Sequence, residues 1–479
     1  MRLPRPIAAL GLLILLASAW PLAAAPVDVV LALDHSLSMY KNDPARDSLK
    51  GAELFSTLLG SDDRLAVMTF AQNARVLLPL RPLSDAKTLS QIASIIDKIE
   101  MNGTQTNFEV ALKTAYQTYS DPASIPASRF LVLFSDGQMN LGDNEATEAG
   151  RAALIEDLLP RFQASGIRIY GVAFSPDADL DLLSLLSEST GGLTIRADTP
   201  DDIYEAFVGL FEQADRPLML PVSNGSVEID ADVQTLRLLV KREAGDAGIQ
   251  LTDPNAQPLS AGDRRPGIDW KSMAHYDQIT IQDPQPGVWK ISGQTQDQNA
   301  YIESDLNLLI KVPVLAVVGE PMEVTAQLTN QGSPLAPSAL QGIELSATVH
   351  DEAGGVVETL ALHPSADARN GGRAVGQFSI DKAGTFHVEV SARGQGFQRK
   401  KVSLINVVTR LHPLSSPPVV ATDDMTSAPA RVTEAKARQR AMKIIVIANL
   451  ALLALLGIGV GVWWWRGSHA KPDVFDDVD

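Results

Sequence analysis

Val27-Asp28-Val29-Val30-Leu31-Ala32-Leu33-Asp34-His35-Ser36-Leu37-Ser38 decides how the first half of this chain is read. A largely apolar run, 27–33, stops at an acid followed by two hydroxyls. Such a run fits a strand covered on both faces, as in a parallel sheet; a half-exposed strand would alternate instead. Ligands of open parallel sheets collect at the carboxyl ends of the strands. In an extended tip, residues i, i+2 and i+4 project to one side, so Asp34, Ser36 and Ser38 are expected to share a face. A second apolar run, 130–134, leads into Ser135-Asp136-Gly137 and sets another acid at a strand end. The two acids are expected to face each other across neighbouring strands. Thr106-Asn107 opens an amphipathic segment between them.

Carboxylates and hydroxyls are hard oxygen donors. They suit Mg²⁺ or Mn²⁺ far better than zinc or copper. An Asp-Ser loop that merely caps the next helix is the plainer reading of 34–38 alone. Thr106 and Asp136 shift the balance towards a metal site.

The pattern resembles the von Willebrand factor type A domain and its metal-ion-dependent adhesion site, whose motif is Asp-x-Ser-x-Ser, a distant Thr and a distant Asp. Asp34, Ser36 and Ser38 match the first part, the segment from Thr106 to Leu112 the second, and Asp136 the third. Asn42-Asp43-Pro44 and the run from Asp63 to Phe70 agree as well. Thr104 is the alternative to Thr106, and Leu37 stands where the family often has Gly. The resemblance implies a Rossmann-like, doubly wound α/β fold over residues 26–215. It also implies a divalent cation held by Asp34, Ser36, Ser38, Thr106 and Asp136, directly or through water, with one coordination position open. An Asp or Glu of a partner protein fills that position. The physical reason is charge: too few direct carboxylates leave the cation under-neutralised, so an incoming carboxylate is strongly attracted.

Hydrophobic periodicity agrees with that fold. Strands are expected at 27–33, 63–70, 75–79, 129–135, 167–174 and 193–197. Helices are expected near 45–59, 85–99, 106–119, 145–164, 179–189 and 200–214. Alternation of this kind gives a mostly parallel sheet covered by helices. Asp177-x-Asp179-x-Asp181 imitates a calcium loop, but Leu182 stands where that loop needs Gly. It reads as an acidic helix start.

After Arg216-Pro217 the helical period vanishes. Short alternating segments punctuated by turn residues follow, and they suggest a β-sandwich module at 216–310 and an immunoglobulin-like β module at 311–410. Trp289 is expected in a core. Residues 411–442 form a linker rich in Pro, Ser, Ala and Thr, and then a basic juxtamembrane helix.

The chain has 479 residues, no Cys and a formal net charge of −17. That charge argues against a nucleic-acid partner, and the lack of Cys excludes disulfide and thiolate chemistry. Residues 1–25 have the layout of a signal peptide: Arg2 and Arg5, an apolar core, then small residues. An uncleaved anchor is the alternative, and in either case the bulk of the chain is exported. Residues 443–466 hold a run apolar enough and, at about 1.5 Å per residue, long enough to cross a bilayer core of about 30 Å. Trp463, Trp464 and Trp465 suit the membrane interface. These features predict a single-pass protein of the cell inner membrane, its bulk in the periplasm and a short cytoplasmic tail at 467–479. The basic flank Arg431, Lys436, Arg438, Arg440 and Lys443 opposes that orientation by the positive-inside rule. A long exported domain translocates largely regardless of charge, and the flank can rest on anionic headgroups. Gly457 and Gly461 have the spacing of a helix-dimerisation face, though small residues are common in such spans.

Catalytic motifs built on His-Glu-x-x-His, Gly-x-Ser-x-Gly or a phosphate-binding loop do not occur. Together with the resemblance to the von Willebrand factor type A domain, this leads to the expectation of protein binding, not catalysis. The alternatives are a non-catalytic subunit of an envelope enzyme or assembly complex, and a structural sensor with a vestigial metal site.

Overall fold

The computed structural model describes residues 26–422 apart from 85, 120–127, 243–247, 274, 294, 366–371 and 411–419. The expected signal peptide, transmembrane segment and tail lie outside the described residues. Among the described residues, no helix is long and apolar enough to cross a membrane.

The first sheet is made of β1 (Val27–Asp34), β2 (Arg64–Phe70), β3 (Ala74–Pro82), β4 (Ser128–Ser135), β5 (Ile167–Phe174) and β6 (Thr194–Ala197), in the order β3-β2-β1-β4-β5-β6. All neighbours are parallel except β3, which returns antiparallel to β2 through a short turn. Every residue of β1 is buried, as the largely apolar run requires, and the acid inside it, Asp28, pairs with Arg64. Helices cover both faces: α1 (Leu37–Asn42), α2 (Asp47–Leu58), α3 (Ala86–Asp97), α4 (Phe108–Thr118), α5 (Asn144–Ala153), α6 (Leu159–Ala164), α7 (Leu180–Thr190) and α8 (Pro200–Asp215). Two apolar clusters lie on opposite faces. Val29, Leu31 and Leu33 point into one, and Val30 and Ala32 into the other.

Two local expectations need correction. The helix read as 145–164 is helical throughout, from Asn144 to Ala164, but it is not a uniform α-helix: a π-helical turn occupies Leu154–Leu158. Pro160, at the start of α6, has no N–H to give the preceding turn, and its ring crowds the carbonyl four residues back. The loop after β1 is not extended as far as Ser38 either. Ser36 is extended, but α1 begins at Leu37, so Ser38 reaches the site by a helical turn.

Residues after Arg216 form antiparallel sheets. In the largest, ten-stranded sheet, the short strand β7 (Leu218–Leu220) pairs with Thr295–Ser304 on one side and with Phe397–Val408 on the other. Segments 216–310 and 311–410 therefore meet in one continuous sheet and share one apolar core, in which Trp289 is buried. A buried ion pair ties them further. Arg399, fully buried, holds Asp230 with both guanidinium nitrogens, at 2.5 and 3.0 Å, and also donates to the Leu306 carbonyl.

The α/β part rests on this β region through α8. Phe207, Phe211 and Tyr204 of α8 belong to a cluster that also holds Met219, Leu239, Tyr276, Tyr301 and Leu404. Helices α2 and α8 pack closely because Gly51 has no side chain; a Cβ there would lie 2.5 Å from the Phe207 ring. The Gln213 carbonyl oxygen, fully buried, accepts from the Leu404 N–H at 3.0 Å and the Ser403 hydroxyl at 3.2 Å. Replacing Gln213 by Leu orphans both donors, so denaturant titration of the full chain should show a loss of about 1–3 kcal/mol. An unchanged titration would mean that this contact carries no weight.

Candidate functional site

Strands β1 and β4 are parallel neighbours with Leu33 beside Phe134, so both chains leave the sheet at the same level. Asp34 ends β1 and Asp136 follows β4 by one residue. Both carboxylates are buried, at 1% and 0% exposure. The Asp34 carboxylate accepts from the Ser36 N–H at 2.8 Å and the Ser135 hydroxyl at 2.6 Å. The Asp136 carboxylate accepts from the Ser38 hydroxyl at 2.8 Å and the Asn42 side-chain amide at 2.7 Å. The hydroxyls of Ser36 and Ser38 lie 2.8 Å apart.

Thr106 enters from a third loop. Its N–H and C=O exchange hydrogen bonds of 3.0 and 2.9 Å with Asn140, pinning the loop before α4 to the loop after β4. Asn107 then caps α4 by accepting from the Val110 N–H at 3.1 Å. A Cβ added to Gly137 would lie 3.5 Å from the Ser38 hydroxyl and 3.8 Å from that of Thr106. The bare glycine thus leaves open the space that these two oxygens border. The loop after β1 is held by paired backbone bonds: Leu37 N–H to Gly103 C=O at 2.8 Å, and Gly103 N–H to His35 C=O at 2.9 Å. Asp34, Ser36, Ser38, Thr106 and Asp136 accordingly converge at one end of the sheet. Thr106 is buried, whereas Thr104 is exposed and gives its N–H to the Gln72 side chain.

Sequence reasoning missed Ser135 and Asn42. Ser135 adjoins the motif acid, and Asn42 stands four residues after Ser38; that spacing places both on one face of α1. Asp43 turns away and caps α2, accepting from the N–H groups of Asp47 and Ser48 at 2.7 and 2.9 Å. The calcium-like run does what an acidic helix start does. Asp179 caps α7, accepts from the Met139 N–H at 3.2 Å and pairs with Arg151.

The donors are all oxygen, and among the described residues neither Asp34 nor Asp136 has an ion-pair partner. Burial, only partly offset by hydrogen bonds, pushes the Asp34 carboxyl up to about 7 and raises that of Asp136 as well. Two buried acids facing each other without a cation cannot both ionise cheaply. A hard divalent cation would supply the missing charge, so these residues fit one. Among the described residues no three acidic or imidazole side chains gather at one point. The donor set here is two carboxylates supplemented by neutral hydroxyls.

Residues 28–207 match the family profile of the von Willebrand factor type A domain. These residues form a von Willebrand factor type A domain. Similar solved structures include a von Willebrand factor type A protein from Catenulispora acidiphila, 15% identical over 65% of this chain and 64% of that one, with a TM-score of 0.33. This chain thus spans just under two thirds of that protein. BatB from Bacteroides thetaiotaomicron is 14% identical over 38% of this chain and 97% of that one, with a TM-score of 0.29. Proximal thread matrix protein 1 from the mussel byssus, solved with a zinc-occupied adhesion motif, is 14% identical over 41% of this chain and 50% of that one, with a TM-score of 0.33. No curated protein matches the chain.

The raised Asp34 carboxyl makes stability depend on pH in the metal-free protein. Its folded value lies above the unfolded one, so the folded state holds the extra proton between them. Stability should fall as pH rises from about 4 to about 7, by about 1.4 kcal/mol per pH unit for one retained proton. Melting in EDTA across that range should show the slope, and Asp34→Asn should flatten it. An equal slope in Asp34→Asn would place the retained proton elsewhere.

Proposed function

We propose that this chain is a membrane-anchored binding protein whose von Willebrand factor type A domain captures a partner protein through a divalent cation, Mg²⁺ or Mn²⁺. The observation that carries this reading is the pair of carboxylates buried at the ends of β1 and β4, without an ion-pair partner among the described residues and hydrogen-bonded to the hydroxyls of Ser38 and Ser135. Asp34 and Asp136 supply charge; Ser36, Ser38 and Thr106 supply neutral oxygens. Two carboxylates only balance a divalent ion, and neutral donors leave it Lewis-acidic enough to draw in an Asp or Glu from the partner. The domain faces the periplasm from a single inner-membrane helix at 443–466. The β region, built from immunoglobulin-like modules, serves as its stalk, and Gly457 and Gly461 pair two copies within the bilayer. The role is binding, with no catalytic step assigned.

Capture of partner proteins from solubilised membranes, with and without EDTA, tests this reading. Ser36→Ala and Thr106→Ala should weaken capture while melting temperatures stay close to wild type. Asp136→Ala should weaken it further, because it removes charge that balances the ion. Capture that survives both EDTA and Asp136→Ala would show that the domain works through another surface. A chain that binds neither Mg²⁺ nor Mn²⁺ and captures nothing would favour a structural sensor with a vestigial metal site.

A further inference from the structure

Among the described residues of the α/β domain, the large apolar side chains that stand out in solvent are Leu37, Tyr40 and Leu180, with 48%, 68% and 39% exposure. They are not scattered. Leu37 and Tyr40 belong to α1, which also supplies Ser38 and Asn42 to the site, while Met39 of the same helix is fully buried. Leu180 opens α7, directly after Asp179, whose N–H bonds the Gly137 carbonyl at 3.3 Å. In the sheet order β1-β4-β5, α1 follows β1 and α7 follows β5, so these side chains flank the end of β4 on its two sides. The end of β4 is where Asp136 and Gly137 lie.

Two of the three are mounted on fixed backbone. Leu37 is pinned by its N–H to Gly103, and Leu180 follows a cap residue that also pairs with Arg151 and accepts from Met139. Thr104, Gln138 and Asn140, exposed on the neighbouring loops, are neutral, while the charges next to the rim are Lys41 beside Tyr40 and Asp177 and Asp181 on either side of Leu180. An apolar rim on rigid posts around a polar, charge-accepting mouth is arranged for a ligand of the same composition: an acid at the centre and apolar groups beside it.

We propose that the partner inserts its Asp or Glu from an extended segment bearing apolar side chains two residues before and two residues after the acid, and that Leu37, Tyr40 and Leu180 read those flanks. In an extended segment, residues i−2, i and i+2 share a face, so an acid directed at the mouth carries its i±2 neighbours to the rim. This inference rests on the adhesion-site reading above.

The test uses the full-length chain in detergent with Mg²⁺, and carrier beads that display the loop Leu-Ser-Asp-Ser-Leu or Ser-Ser-Asp-Ser-Ser in many copies. The apolar-flanked loop should bind about tenfold more tightly or better, the expected scale for partial burial of two such side chains. Leu37→Ser, Tyr40→Ser and Leu180→Ser should each narrow the difference, leaving Mg²⁺ affinity and binding of the polar-flanked loop unchanged. Equal, Mg²⁺-dependent binding of both loops would overturn the rim inference and leave the adhesion-site reading standing. Binding that survives EDTA, or no binding of either loop by chain that is saturated with Mg²⁺, would overturn both.

Discussion

Two carboxylates, Asp34 and Asp136, are buried at the ends of adjacent parallel strands with no ion-pair partner among the described residues, and much of the surrounding structure accommodates that fact. Burying an unpaired anion is costly, so each acid is wrapped in donors: Ser135 and the Ser36 amide for one, Ser38 and Asn42 for the other. The donors come from different parts of the chain, because no single loop can surround two acids. This explains why the loops before α1, α4 and α5 are fastened to one another by backbone pairs such as Thr106 with Asn140 and Leu37 with Gly103. Left without a counter-ion, the site retains a proton near neutrality. Supplied with a divalent ion, the same oxygens become ligands, and the hydroxyls that now satisfy the acids can turn their lone pairs to the metal.

The β region supports this end of the domain from behind. Helix α8 lies between them. Phe207 stacks on Phe134, with ring centroids 5.9 Å apart, two residues before Asp136. From the same helix, Tyr204 donates to the Asp47 carboxylate at 3.0 Å and packs on His275, a residue of the β region, at 4.8 Å. Asp47 starts the helix that Asp43 caps, immediately after Asn42. Packing and hydrogen bonds thus run without a break from the β sheets to the groups that hold Asp136. The β region is therefore part of the frame on which the end of the sheet is built.

How much of this was legible in the sequence follows from the range of the interactions. The runs 27–33 and 130–134 pointed to buried parallel strands, since a strand covered on both faces needs no alternation, and the acids just beyond them pointed to the candidate site. The residues matched as Asp34, Ser36, Ser38, Thr106 and Asp136 are brought together, yet the route taken by Ser38 was misread. Strand periodicity was carried one step too far, into a helical turn. Asn42 and Ser135 carry no motif of their own and become visible only once their carboxylate partners are placed. The joining of segments 216–310 and 311–410 through β7 was not legible either. Three residues, Leu218 to Leu220, pair with strands some 80 and 180 positions away, and no local pattern encodes such pairing.

The central claim is that the oxygens of three loops form one divalent-cation site with an open position. Crystals of the protein grown with Mn²⁺ and measured at the manganese absorption edge test it most directly. The account predicts a single strong anomalous peak in the α/β domain, within about 2.0–2.3 Å of at least two of the Ser36, Ser38 and Thr106 hydroxyls, with carboxylate oxygens of Asp34 or Asp136 in the inner or water-linked shell and one position facing Gly137 filled by solvent. No peak there at saturating Mn²⁺, or a peak fully enclosed by protein ligands, would contradict it.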